Sequence, residues 1–93
     1  MEYTIIWPPK FEDIAWLIES KGWMDGVEII VDGKSIHPVF YDPTRPAQDI
    51  EMEMANNGFF VEKNLIILPR VTQEAIEKFV ALLAGSGKLE CLL

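Results

Sequence analysis

A chain of 93 residues is about two-thirds of a common domain, which leaves room for one fold around one core and none for a linker with a second core. Apolar residues make up 49% and charged residues 25%, a balance that excludes a disordered chain and a fibrous repeat. Fifteen acidic against eight basic residues give a net charge of -7, which disfavours nucleic acid, since affinity for phosphate backbones comes from Lys and Arg displacing counterions.

Tyr3 to Trp7 is rich in β-branched and aromatic residues and is closed by Pro8-Pro9, the pattern of a short strand running into a rigid extended turn. Phe11, Ile14, Ala15 and Ile18 then recur at helical spacing. Glu12 and Asp13 occupy the first turn, where the helix dipole favours acids, and Lys21-Gly22 closes the helix with Gly22 as its left-handed cap. Trp23 just beyond is placed to fold back on the last turn.

Val27 to Val31 and Ile36 to Tyr41 form two β-rich runs around Asp32-Gly33, the dipeptide suited to the positive φ values of a type I′ hairpin turn. Pro38 cannot donate to a ladder, so the second run reads as an edge strand or as bulged there. Asp42-Pro43 turns the chain into a second helix, capped by Thr44, with Ala47, Ile50 and Met54 as its core stripe, Ala55 beside them, and Asn57-Gly58 as its stop.

Phe59-Phe60-Val61 and Leu65 to Leu68 flank Glu62-Lys63-Asn64 and read as a tight hairpin or as one bulged strand, with the hairpin preferred. Pro69 stops that strand. Thr72 caps a third helix whose stripe is Ile76, Phe79, Val80 and Leu83, ended by Gly85. The tail from Lys88 to Leu93 sets Leu89, Cys91 and Leu93 at alternate positions, the pattern of a final strand. The order implies an α+β fold spanning 1–93 as a single domain: about three helices on one face of a mostly antiparallel sheet, ferredoxin-like or a variant of it.

Motifs that carry chemistry are few. His37 is the lone histidine and reads as an ordinary strand residue, because neither a metal set nor a nucleophile converges on it by spacing. Cys91 is the lone cysteine, so no intrachain disulfide forms, and its apolar neighbourhood fits an inert thiol. Gly85-Ser86-Gly87-Lys88 is not a phosphate loop: position 82 is Leu where the first glycine belongs, Leu89 follows the lysine, and the segment follows a helix. No cofactor, metal or catalytic residue is implied. The longest apolar run, Phe79 to Ala84, is six residues against the roughly 20 a membrane helix needs, and no leader pattern opens the chain. A cytoplasmic protein without a membrane contact is expected.

The surface is more informative. Trp16 falls about 140° from the first helix's stripe, among Glu12, Asp13, Glu19 and Ser20. A tryptophan on an acidic face is an anchor for a partner unless Pro8-Pro9, Trp23 or the tail folds over it. Met52 lies equally far from its own stripe, and Asp49 and Glu53 stack at i, i+4 on the second helix with Glu51 nearby. Residues 1–57 hold eleven acids and four bases, a balance of -7, and residues 58–93 hold four of each, a balance of zero, so the excess charge lies in the first part. Glu12, Asp13, Trp16, Asp49, Met52 and Glu53 are therefore the expected binding residues. They compose a small acidic, non-enzymatic module of the inhibitor, immunity or adaptor kind that docks a basic protein partner. The alternative is a homo-oligomeric structural module, a homodimer paired through strand edges at Ile36 to Tyr41 or through the C-terminal tail.

Overall fold

In a computed structural model that describes residues 2–92, with the backbone alone for Arg45, Pro46, Glu90 and Cys91, the chain forms six strands, three helices and a closing turn. In chain order these are β1 (Tyr3–Ile6), α1 (Phe11–Lys21), β2 (Trp23–Met24), β3 (Glu28–Val31), β4 (Lys34–Ile36), β5 (Val39–Tyr41), α2 (Thr44–Asn57), β6 (Leu65–Ile67), α3 (Gln73–Gly85) and a 3-10 turn (Leu89–Leu92). The class is α+β with mostly antiparallel pairing. The strands divide between two three-stranded sheets, β1-β3-β4 and β2-β5-β6, so they do not close into the single sheet a ferredoxin-like plan requires.

Pro38 explains the division. It has no N–H to give a ladder, and the run from Ile36 to Tyr41 breaks at that point. Ile36 ends β4 opposite Ile29 in the first sheet, and Val39 opens β5 in the second. Asp32 at φ 52° and Gly33 at φ 78° make the positive-φ pair that joins β3 to β4 in the expected type I′ hairpin. His37 accordingly sits in the break and not in a strand, exposed, with its Nε2 3.8 Å from Glu28 Oε2.

The expected hairpin between 59–61 and 65–68 does not form. β6 lies parallel to β5, with Val39 opposite Leu65 and Tyr41 opposite Ile67, and parallel neighbours need a crossover, which α2 and residues 58–64 supply. Residues 59–62 are left as connecting chain. The tail also departs from expectation. Its last turn is 3-10 and not a strand, with Leu89 fully buried. The packing of Cys91 and Leu93 lies outside the described residues, as does the side chain of Arg45, which stands four residues before Asp49 on α2.

Helix ends follow local chemistry. Gly22 at φ 78° caps α1 and donates to Ile18 O, and Thr72 Oγ1 accepts from Ala75 N at 3.2 Å to start α3. The Gly85 to Lys88 segment is a Schellman cap: Gly87 is left-handed, its N–H reaches Ala84 O, and Lys88 N–H reaches Leu83 O. Thr44 does not cap α2. It is the first helical residue, and its N–H is satisfied by Asp42 Oδ1 at 3.0 Å.

One buried cluster joins both sheets, with Phe11 and Ile18 from α1, Ile29, Val31 and Ile36 from the first sheet, Phe40 from the second, and Ile76, Val80 and Ala84 from α3. Burying each such aliphatic or aromatic side chain is worth roughly 1.5–3 kcal/mol. None of the described side chains of α2 belongs to this cluster. Its expected core stripe faces water, with Ala47 and Ala55 exposed, Ile50 at 41% and Met54 at 52%, whereas Asp49 and Glu53 are the side chains it half-buries. The helix is thus turned the opposite way from its own amphipathic pattern. On α1 the stripe is centred on Phe11 and Ile18, and Ile14 is exposed.

Candidate functional site

The inverted α2 creates the most chemically distinctive surface of the molecule. A groove of about 390 Å³ runs between α2 and the connection that follows it, lined by Asp49, Met52 and Glu53 from the helix, Tyr41 from β5, and Phe59 to Glu62. Gly58 at φ 81° stops α2 and sends the chain back along it, and Asn64 at φ 58° turns that chain into β6. Asn64 Nδ2 donates to Leu92 O at 2.6 Å, fastening the far end of the connection to the closing turn.

The wall is fixed by Tyr41, which is buried at the end of β5 and donates its hydroxyl to Glu62 Oε2 at 2.9 Å. Burial first, then that hydrogen bond and the negative charges of Glu62 and Asp49, hold the phenol protonated well above the ordinary tyrosine range. On the helix, Asn57 Nδ2 donates to Glu53 Oε2 at 2.6 Å and steadies the second carboxylate. Among the described residues the lining carries three carboxylates, those of Asp49, Glu53 and Glu62, and no Lys or Arg. Against them stand exposed apolar side chains: Met52 at 61%, Phe59 at 61% and Val61 at 79%.

Of the six residues expected to bind, the structure brings Asp49, Met52 and Glu53 together here. Glu12, Asp13 and Trp16 are exposed on α1 and do not line the groove. Trp16 is 70% exposed, so none of the segments that were candidates to cover it does so. Trp7, preceding Pro8-Pro9, stacks on Phe11 with ring centroids 4.8 Å apart, and Trp23 lies in β2 opposite Tyr41. Beside Trp16 on the same helical face, Glu19 sits 3.7 Å from Arg70 Nη1.

Sequence reasoning missed Tyr41, Phe59, Phe60, Val61 and Glu62. The signal available was Asn57-Gly58, which stops a helix and reverses the chain, followed by three apolar residues that a hairpin reading assigned to a sheet. Among the described residues no three His, Cys, Asp or Glu side chains converge closely enough to hold a metal ion, and no helix is long and apolar enough to cross a membrane.

No protein-family model matches the chain, and neither a curated protein nor a solved structure gives a match to it.

Proposed function

We propose that this protein is a small acidic, non-enzymatic binding module that docks a basic protein partner in the cytoplasm, with the groove along α2 as the centre of the docking surface. The observation that carries the reading is the composition of that groove: the carboxylates of Asp49, Glu53 and Glu62 surround exposed Met52, Phe59 and Val61. Carboxylates around an apolar floor attract a Lys or Arg side chain and reward burial of its aliphatic stem or of a neighbouring apolar residue. The outward stripe of α2, Ile50 and Met54, flanks the groove as apolar surface that a partner would cover. Glu12, Asp13 and Trp16 on α1 form a second acidic and aromatic face of the same character.

The test is to map where a basic ligand binds. A hexapeptide of alternating lysine and valine, titrated into the isotopically labelled chain, is expected to shift the backbone amides of residues 49–53 and 59–62 first. Shifts confined to other surfaces would remove the groove from the reading.

The alternative is a homodimer paired through strand edges, for which the expected Ile36 to Tyr41 run shares only Ile36 with an edge strand. β4 is an edge of its sheet, but it offers only Lys34 to Ile36, whereas β5 is the central strand of the other sheet. Light scattering separates the readings, since a monomer in solution sets the dimer aside.

A further inference from the structure

Residues 59–62 carry more than side chains. Between the left-handed Gly58 and the Lys63-Asn64 turn they run at negative φ without turn or bend, and their exposure alternates: Phe59 and Val61 face water, Phe60 and Glu62 are half-buried. That is the two-residue period of a strand. Yet the segment belongs to neither sheet, and among the described residues the main-chain N–H and C=O groups of Phe59 to Glu62 have no hydrogen-bond partner. Main-chain groups of this kind, held straight beside an open groove, are a template for another extended chain.

We infer that residues 59–62 are a docking strand, and that the occupant of the groove is an extended segment of the partner in which Lys or Arg alternates with aliphatic residues. The inference rests on the basic-partner reading above and specifies its mode. An added strand would take its affinity from main-chain hydrogen bonds to 59–62 and its selectivity from alternate side chains. One row of these would meet Asp49, Glu53 and Glu62, and the other would lie against Met52, Phe59 and Val61. Charge decides against a second copy of this chain as the occupant: its own 59–62 strand would bring another Glu62 to a groove that already holds three carboxylates, and like charges across a strand pair are destabilising.

The experiment uses the full chain and four synthetic hexapeptides: alternating lysine and valine, the same sequence N-methylated on its odd or on its even residues, and alternating glutamate and valine. The lysine–valine peptide is expected to bind, one of the two methylated forms is expected to bind about tenfold more weakly, the loss implied by one or two main-chain hydrogen bonds, and the glutamate–valine peptide is expected not to bind. Val61→Pro, which removes one strand donor at an exposed position, is expected to weaken the lysine–valine peptide by a similar factor without moving the melting temperature. If both methylated forms and the proline variant bind as well as their parents, the docking strand is overturned and the basic-partner reading stands. If the lysine–valine and glutamate–valine peptides bind equally, the basic-partner reading itself fails.

Discussion

The Tyr41 hydroxyl donates to the Glu62 carboxylate at 2.9 Å, and this bond fastens the last residue of β5 to the connection that returns from α2. Among the described residues it is one of two side-chain bonds anchoring residues 59–64, the other being Asn64 to Leu92 O. Tyr41→Phe keeps the buried ring and removes the donor. A hydrogen bond to a charged acceptor contributes about 1.5 kcal/mol or somewhat more. Denaturant unfolding should show a loss of that size, and amide exchange should speed up at residues 59–64 ahead of the rest of the chain.

Burial of the same phenol, and after it this bond, governs how stability depends on alkaline pH. Tyr41 is held protonated above its ordinary value of about 10, so below that pH the folded and unfolded chains bind this proton equally and its contribution is intact. Above about pH 10 the unfolded chain releases the proton while the folded chain keeps it, so unfolding becomes progressively more favourable. Stability should therefore fall as pH rises past this point, and fall less steeply in Tyr41→Phe. Equal slopes for the two proteins would show that the phenol is not held.

Gly22 is irreplaceable for two separate reasons. Its φ of 78° is unfavourable for residues with a β-carbon, and a β-carbon there would fall 2.7 Å from Asp42 Cγ. Asp42 also donates its N–H to Gly22 O and receives Thr44 N–H, so the clash would disturb the start of α2 as well as the end of α1. Gly22→Ala should lower stability by about 2 kcal/mol or more, read as a fall in melting temperature.

Two exposed sites test how the helices are turned. Trp16→Ala should change stability by about 0.5 kcal/mol or less, because the side chain is 70% exposed. The double change Ile50→Gln with Met54→Gln should be similarly neutral, whereas burial of that stripe would make it cost several kcal/mol. Thermal unfolding of both variants checks the two orientations together.

Leu89→Ala marks the opposite case. Leu89 is fully buried as the first residue of the 3-10 turn, so its truncation should cost roughly 2–4 kcal/mol and a correspondingly large fall in melting temperature.

What could be read from the sequence was local. Asp32-Gly33 named its turn because both residues tolerate positive φ, Thr72 and Gly22 marked helix ends through their own backbone chemistry, and Ile76, Phe79, Val80 and Leu83 belong to one stripe that does meet the core. Partnerships between distant segments were not legible. Leu65 to Ile67 looked like the return strand of a hairpin, and nothing in its neighbours announced a parallel partner across α2. Pro38 was recognised as a ladder breaker, but whether it bulges a strand or sends the chain to another sheet depends on Met24 and Ile66 lying opposite Phe40. The orientation of α2 failed for an instructive reason: periodicity assigns an apolar stripe to a core, whereas here the buried cluster is filled without Ile50 and Met54. Three of the eight described lining residues, Asp49, Met52 and Glu53, follow from charge and spacing, and the other five, Tyr41 and Phe59 to Glu62, depend on where residues 59–62 run.

The central claim is that Asp49, Glu53 and Glu62 together attract a basic partner, and its most direct test is the salt dependence of lysine–valine hexapeptide affinity in the parent chain and in Asp49→Asn/Glu53→Gln/Glu62→Gln. Glu62 accepts from Tyr41 and Glu53 from Asn57, so the triple variant should melt somewhat below the parent temperature, and the two are compared at a temperature where both are folded. The expected result is an affinity that falls steeply with salt in the parent and is both weaker and nearly salt-independent in the variant. Identical affinities and slopes in the two proteins would contradict the account.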